Sequence, residues 1–171
     1  MSRNILIPVL VALAASSCSS RNLKQKDVWV PVYEDASKAK EIVSLPPKAV
    51  VTAGKIYAYR DFVYQLEENK GIHVYRLEGK EPKPLFFIQV YGAQEMSIRE
   101  DKLYTNNFQD IVILDIANPQ SLREIGRLHK AFDMRINTVP PTNGYFQCVD
   151  STKGVVVGWE LQHDIEASCI Y

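Results

Sequence analysis

Gly71-Ile72-His73-Val74-Tyr75-Arg76-Leu77 and Asp110-Ile111-Val112-Ile113-Leu114-Asp115-Ile116 stand 39 residues apart and decide the fold. Both are nearly continuous runs of β-branched and aromatic residues, too short for a buried helix. A strand of that composition has a neighbour on each side and both faces largely covered. Outward from this pair the correspondence continues. Ile56, Ala58, Asp61 and Tyr64 match Met96, Ile98, Asp101 and Tyr104 at a spacing of 40, and Leu85 and Ile88 match Leu122 and Ile125 at 37. Two copies of one unit, 55–92 and 95–128, are expected.

Each unit divides into four strands. They are Lys55–Tyr59, Phe62–Leu66, Gly71–Leu77 and Pro84–Tyr91 in the first, and Glu95–Arg99, Lys102–Asn106, Asp110–Ile116 and Leu122–His129 in the second. Gly, Pro, Asn and Asp punctuate the gaps. Four strands in about 40 residues is the period of a β-propeller blade. In the flanks, Glu34–Val43 (EDASKAKEIV) predicts two or three turns of helix, with Asp35 or Ser37 as the cap. Lys48–Thr52 predicts a strand and 137–143 (NTVPPTN) a proline-rich loop. Tyr145–Val149 and Val155–Leu161, around Ser151-Thr152-Lys153-Gly154, predict a β-hairpin over 145–161. The fold class read from 28–171 is all-β: an incomplete β-propeller-like array of about two four-stranded blades plus a C-terminal β-hairpin.

The N-terminus sets the compartment. MSRNILIPVLVALAASSC carries one positive charge, Arg3, then an apolar run from Ile5 to Ala15 and small residues up to Cys18. This is the layout of a secretory signal peptide, too short for a membrane span. The segment resembles a bacterial lipobox, with Ala15 in the place where Leu is usual. Residues 1–17 are read as a lipoprotein signal peptide, Cys18 as the lipidated residue, and the polar stretch 18–27 as a tether. The competing reading is a secreted protein cut near Ser17, with Cys18 incidental. Ser19 favours outer-membrane sorting by resemblance to known sorting patterns.

Roughly 150 residues remain after cleavage, enough for one domain with a core. The 20 basic and 20 acidic residues balance, so no field draws nucleic acid or an anionic surface. Export places Cys148 and Cys169 in an oxidising space, where they pair as a disulfide or remain unrelated thiols.

No catalytic constellation stands out. His73, His129 and His163 lie on separate elements without ligand spacing, and no cysteine pair has zinc spacing. No nucleophile elbow, phosphate loop or calcium loop is present. No catalytic residue, cofactor or metal is expected. Asp110, Asp115 and Asp133 are read as surface or turn carboxylates. Asp115, just before Ala117-Asn118-Pro119, suits a bond to nearby backbone N–H groups. Trp29 and Trp159 offer sugar-binding faces, but packing against strand neighbours is the stronger reading.

Five words carry a family resemblance: PVYED (31–35), GKIY (54–57), NKGIHVYRL (69–77), DIVILDIANP (110–119) and STKGVVVGWE (151–160). In their order and spacing the chain resembles the LVIVD repeat lipoproteins common in Bacteroidetes. That resemblance implies a β-propeller without an established activity. It covers only the N-terminal part of longer members, and Arg76 stands where the second copy has Asp115.

Two functions follow as expectations. The first is a non-catalytic lipoprotein of the cell envelope, most simply the outer membrane, held by its lipid anchor and presenting a propeller-like surface to a protein or glycan. The second is a fragment of an exported propeller enzyme, carbohydrate-active, with its catalytic residues in missing blades. A third possibility is a truncated product without an independent role. The missing histidine and carboxylate clusters favour the first.

Overall fold

A computed structural model describes residues 25–79, 81–118, 121–133 and 138–171. Cys18 and the expected leader 1–17 lie outside the described residues. So does most of the expected tether, whose last residues, 25–27, already belong to the first strand.

The chain is all-β, with antiparallel sheets that do not close. Thirteen strands are described: β1 Gln25–Glu34, β2 Val43–Leu45, β3 Ala53–Tyr59, β4 Phe62–Glu67, β5 Gly71–Glu78, β6 Glu81–Gln89, β7 Met96–Arg99, β8 Lys102–Asn107, β9 Asp110–Asp115, β10 Arg123–Leu128, β11 Tyr145–Phe146, β12 Val155–Ile165 and β13 Cys169–Ile170. The first repeat unit forms the sheet β2-β6-β5-β4-β3, and the second forms β10-β9-β8-β7. The eight strands expected in 55–128 are all present.

The two sheets pair their second and third strands in matching register. Tyr64 pairs with Val74 and Leu66 with Ile72, as Tyr104 pairs with Ile113 and Asn106 with Ile111. The fourth strands correct the sequence alignment. Ile72 pairs with Ile88 and Val74 with Phe86, whereas Ile111 pairs with Leu128 and Ile113 with Gly126. Ile88 therefore matches Leu128 rather than Ile125, at the same spacing of 40 as the first two strands. Each fourth strand carries a β-bulge next to this pairing, which offsets its residues from the simple alternation that the sequence suggests. The β7–β8 hairpin turns on Glu100 and Asp101, with φ of 49° and 60°. Two positive φ values suit the two-residue turn whose twist matches its strands.

The units pack face to face. Tyr64, Leu66, Ile72, Val74 and Ile88 of the first meet Met96, Leu103, Val112, Leu114 and Ile116 of the second in one buried cluster. Alternation along the strands makes this possible, because residues two apart share a face. Among the described residues the other face of the second unit has no such cover. Along β9 burial alternates, with Val112 and Leu114 buried but Ile111 and Ile113 only half-buried. The expectation that both faces of the third strands are largely covered holds for Gly71 to Val74 of β5, and fails for its exposed end, Arg76 to Glu78, and for Ile113. Ile113 points away from the first unit, and no described sheet lies beyond it.

Three flanking expectations are overturned. In place of a helix over 34–43, β1 runs to Glu34, a single 3-10 turn spans Lys38–Lys40, and β2 begins at Val43. Asp35 accepts from the backbone N–H of Ser37 at 2.8 Å and of Lys38 at 3.4 Å, and Ala39 alone in the turn is buried. One apolar contact is too little to hold a longer helix. Lys48–Thr52 is not a strand; β2 takes the place beside β6 instead. The 145–161 hairpin does not form, because β1 inserts between its arms: β12 pairs antiparallel with β1, and β11 pairs parallel with it, in the order β12-β1-β11-β13. The segment between the arms makes a 3-10 turn, Ser151–Lys153, capped by Asp150, which accepts from the Thr152 N–H at 3.0 Å. The first and last described strands thus share one sheet, called below the sheet of chain ends.

Cys148 and Cys169 stand at disulfide distance, with Cα atoms 5.3 Å apart. Cys148 lies just beyond β11, and Cys169 on β13 pairs with Phe146.

Candidate functional site

The uncovered face of the second unit is the surface that packing leaves unexplained. Tyr104, Ile111, Ile113 and Leu128 lie on it by strand parity. Their equivalents in the first unit, Tyr64, Ile72, Val74 and Ile88, are at most 1% exposed, whereas Leu128 is 60% exposed. Beside Tyr104 and Ile111 a cleft of about 330 Å³ opens, walled also by Tyr57 of β3, Met96 of β7 and Phe132 beyond β10. That size is at the small end of ligand and side-chain pockets.

Polar groups around the cleft are largely committed elsewhere. Asn106 is buried; its carbonyl accepts from the N–H groups of Gln94 at 2.8 Å and Glu95 at 3.0 Å, and its amide donates to the Gly92 carbonyl at 2.6 Å. The Thr105 hydroxyl donates to the Glu95 carbonyl at 2.7 Å, and the Glu95 carboxylate pairs with Lys55. The cleft therefore offers aromatic and aliphatic walls more than free donors. In the first unit the equivalent tyrosine, Tyr64, is sealed in. Its hydroxyl has no partner among the described residues, and burial pushes its pKa up to about 12.

Two buried polar clusters lie elsewhere. Glu67 and His73 bond directly on the far face of the first unit, each about 3% exposed. Lys48 reaches Glu67 at 3.7 Å and lies 3.8 Å over the Phe87 ring. Lys70, beside them, donates to the Val157 carbonyl of β12 at 3.4 Å, and burial pushes its pKa down, with Lys48 adding to the effect. This is a satisfied latch between the first unit and the sheet of chain ends.

The second cluster surrounds Asp110. Its carboxylate accepts from the Lys130 N–H at 3.0 Å, from Arg127 at 3.2 Å, from His129 at 3.3 Å and from Lys40 at 3.4 Å. Burial alone would raise its pKa, but these donors and charges outweigh burial and hold it down at about 2. Arg127 also donates to Asn107 at 2.7 Å and to the Lys40 carbonyl at 2.8 Å, so the cluster fastens the 35–42 loop to the second unit.

Asp110 is thus a buried anchor, against the surface or turn role expected for it. Asp115 does bond the Ala117 N–H, at 3.0 Å, and also Arg123 at 3.2 Å, while Asp133 is exposed. His73, His129 and His163 go to three places, on Glu67, Asp110 and Asp27 respectively. Among the described residues no group of three His, Cys, Asp or Glu is placed to hold a metal ion. Trp29 donates to the Thr142 hydroxyl at 3.0 Å, and Trp159 packs edge-on to Phe146 at 5.8 Å, so each is engaged within the sheet of chain ends. The cleft and both polar clusters escape sequence reasoning; the spacing of Tyr64 and Tyr104 was the one legible trace.

No family model, curated protein or solved structure matches this chain.

Proposed function

We propose that this chain is a non-catalytic lipoprotein of the cell envelope whose propeller-like array presents a surface for binding or scaffolding another protein. The observation that carries this reading is the uncovered apolar face of the second unit, with the cleft at Tyr104 and Ile111. An exposed apolar patch rimmed by polar residues is the usual mark of a protein contact. A glycan partner is less well served, because Asn106, Thr105 and Glu95 already have partners. The leader and Cys18 support anchoring to a membrane, and a lipid at Cys18 leaves the array on a short tether. A photoreactive amino acid replacing Tyr104 in the cell-bound protein tests the reading. A discrete protein adduct is expected from Tyr104 and not from Val51, which is exposed in the segment before β3 of the first unit. No adduct from Tyr104 would overturn it.

A further inference from the structure

We infer that the cleft at the junction of the first unit and the sheet of chain ends is a binding site for a small zwitterion, a free α-amino acid whose carboxylate is held by Lys70 and whose ammonium is held by Glu68. The cleft has a volume of about 280 Å³. It shares no lining residue with the cleft at Tyr104, so this site stands apart from the protein-binding surface proposed above.

The turn that carries both charges is fixed. Glu68, Asn69 and Lys70 link β4 to β5, and Asn69 adopts a φ of 61°. The Asn69 N–H donates to the Ala93 carbonyl at 2.7 Å, the Gly92 N–H to the Asn69 carbonyl at 3.0 Å, and the Val90 N–H to the Lys70 carbonyl at 3.1 Å. A ligand held by a locked backbone costs little ordering of the protein.

Lys70 supplies the cation. Each member of the latch has a partner, but Lys70 has a single acceptor, the Val157 carbonyl at 3.4 Å, where an ammonium can donate three bonds. The nearby carboxylate of Glu67 is taken by His73 and Lys48. Among the described residues no carboxylate stands within ion-pair reach of Lys70. Gly158 makes room for the amine, since a Cβ there would collide with the Lys70 Nζ. Burial, and after it Lys48, push the Lys70 pKa down. A carboxylate brought into the cleft reverses that, because a charge withdrawn from water is stabilised by a counter-charge or by hydrogen bonds.

The rest of the cleft selects among carboxylates. Glu68 lines it too, is exposed, and makes no ion pair among the described residues. It repels a simple anion and attracts a ligand with a cation beside its carboxylate. Glu160, exposed and near enough to favour the charged form of Lys70, adds to that bias. Val139 and Pro141 give an aliphatic wall. A cation, an anion and an aliphatic wall in so small a space match one amino acid with a short aliphatic side chain, such as valine. Two charge-assisted contacts in an open cleft give weak binding, with Kd of about 0.1–10 mM.

NMR of the full mature chain tests the site, with L-valine, isovalerate and isobutylamine each titrated to about 100 mM at constant ionic strength. Isovalerate is valine without its ammonium, and isobutylamine is valine without its carboxylate. Valine should shift the Val139 and Gly158 signals saturably and bind at least about fivefold tighter than either fragment. Lys70→Gln should weaken valine at least about tenfold, and Glu68→Gln should bring valine down to the level of isovalerate. Lys70 also serves the latch, so the urea midpoint of its variant is measured; Glu68 is exposed, and its variant decides the matter if Lys70→Gln unfolds. Absence of saturable shifts at Val139 and Gly158 overturns the inference. So does valine binding no tighter than isovalerate, or valine affinity unchanged in Glu68→Gln.

Discussion

Ile72 and Ile111 hold the same position in the two units, yet one is sealed and the other half-open. Replacing each with Ala is the same chemical change on the same kind of strand. The loss of strand propensity is therefore common to both, and the difference isolates burial. Ile72 is 0% exposed and pairs with Ile88 inside the core between the units. Deleting its side chain beyond Cβ should cost about 3–4 kcal/mol, transfer and cavity terms together. Ile111 has no described sheet above it, so its surroundings and water fill the gap, and about 1 kcal/mol is expected. With a urea slope of about 2 kcal/mol/M, the midpoint should fall by about 1.5–2 M for Ile72→Ala and about 0.5 M for Ile111→Ala. Equal losses, within about 0.5 kcal/mol, would refute the account of one covered and one open face.

Further outcomes can be checked on the same protein. Thiol counting on unfolded, unreduced mature chain should find neither Cys148 nor Cys169 free, and Cys169→Ser should cost up to about 3 kcal/mol for a sequence separation of 21; two titratable thiols would contradict the pairing. Asp110, held down at about 2 from 3.8, contributes stability that is complete above about pH 4 and fades as pH falls toward 2. Asp110→Asn should lose this part of the acid dependence and weaken the ion pair with Arg127, which keeps Glu124, Asn107 and the Lys40 carbonyl, so its urea midpoint should drop at neutral pH; a midpoint that matches wild type at pH 7 and at pH 3 would contradict the anchor role. Gly71 has φ +145° and a Cβ there would fall on the Ile88 carbonyl, so Gly71→Ala should lower the melting temperature by about 10 °C or prevent folding. Mass spectrometry of the membrane fraction should find the mature N-terminus at Cys18 with acyl chains, and Cys18→Ala should release or leave unprocessed the protein; a soluble, unmodified wild-type chain starting elsewhere would contradict anchoring.

The units were legible because their information is local. Strand composition, turn residues and the spacing of Tyr64 and Tyr104 all lie within about 40 residues of one another, and each level agrees with the next. What failed was long-range or subtle. The hairpin over 145–161 looked right locally, but β1 competes for both arms from more than a hundred residues away. The expected helix at 34–43 has good helix formers but offers the core only Ala39, and Asp35 closes a turn instead. Bulges near Leu85 and Ile125 shifted the fourth strands, which no alternation pattern reveals. The burial of Ile113 was overestimated because an apolar strand says that cover is wanted, not whether a cover exists. Glu67 with His73 and Asp110 with Arg127 are brought together by strand register, and their sequence spacing carries no motif.

Methyl NMR with a paramagnetic cosolute tests the central claim most directly. In a dilute sample of isoleucine-δ1-labelled protein, the Ile72 and Ile88 methyls should be protected while those of Ile111 and Ile113 are broadened. Dilute-sample protection of Ile111 and Ile113 equal to that of Ile72 would contradict the open face and the binding function built on it.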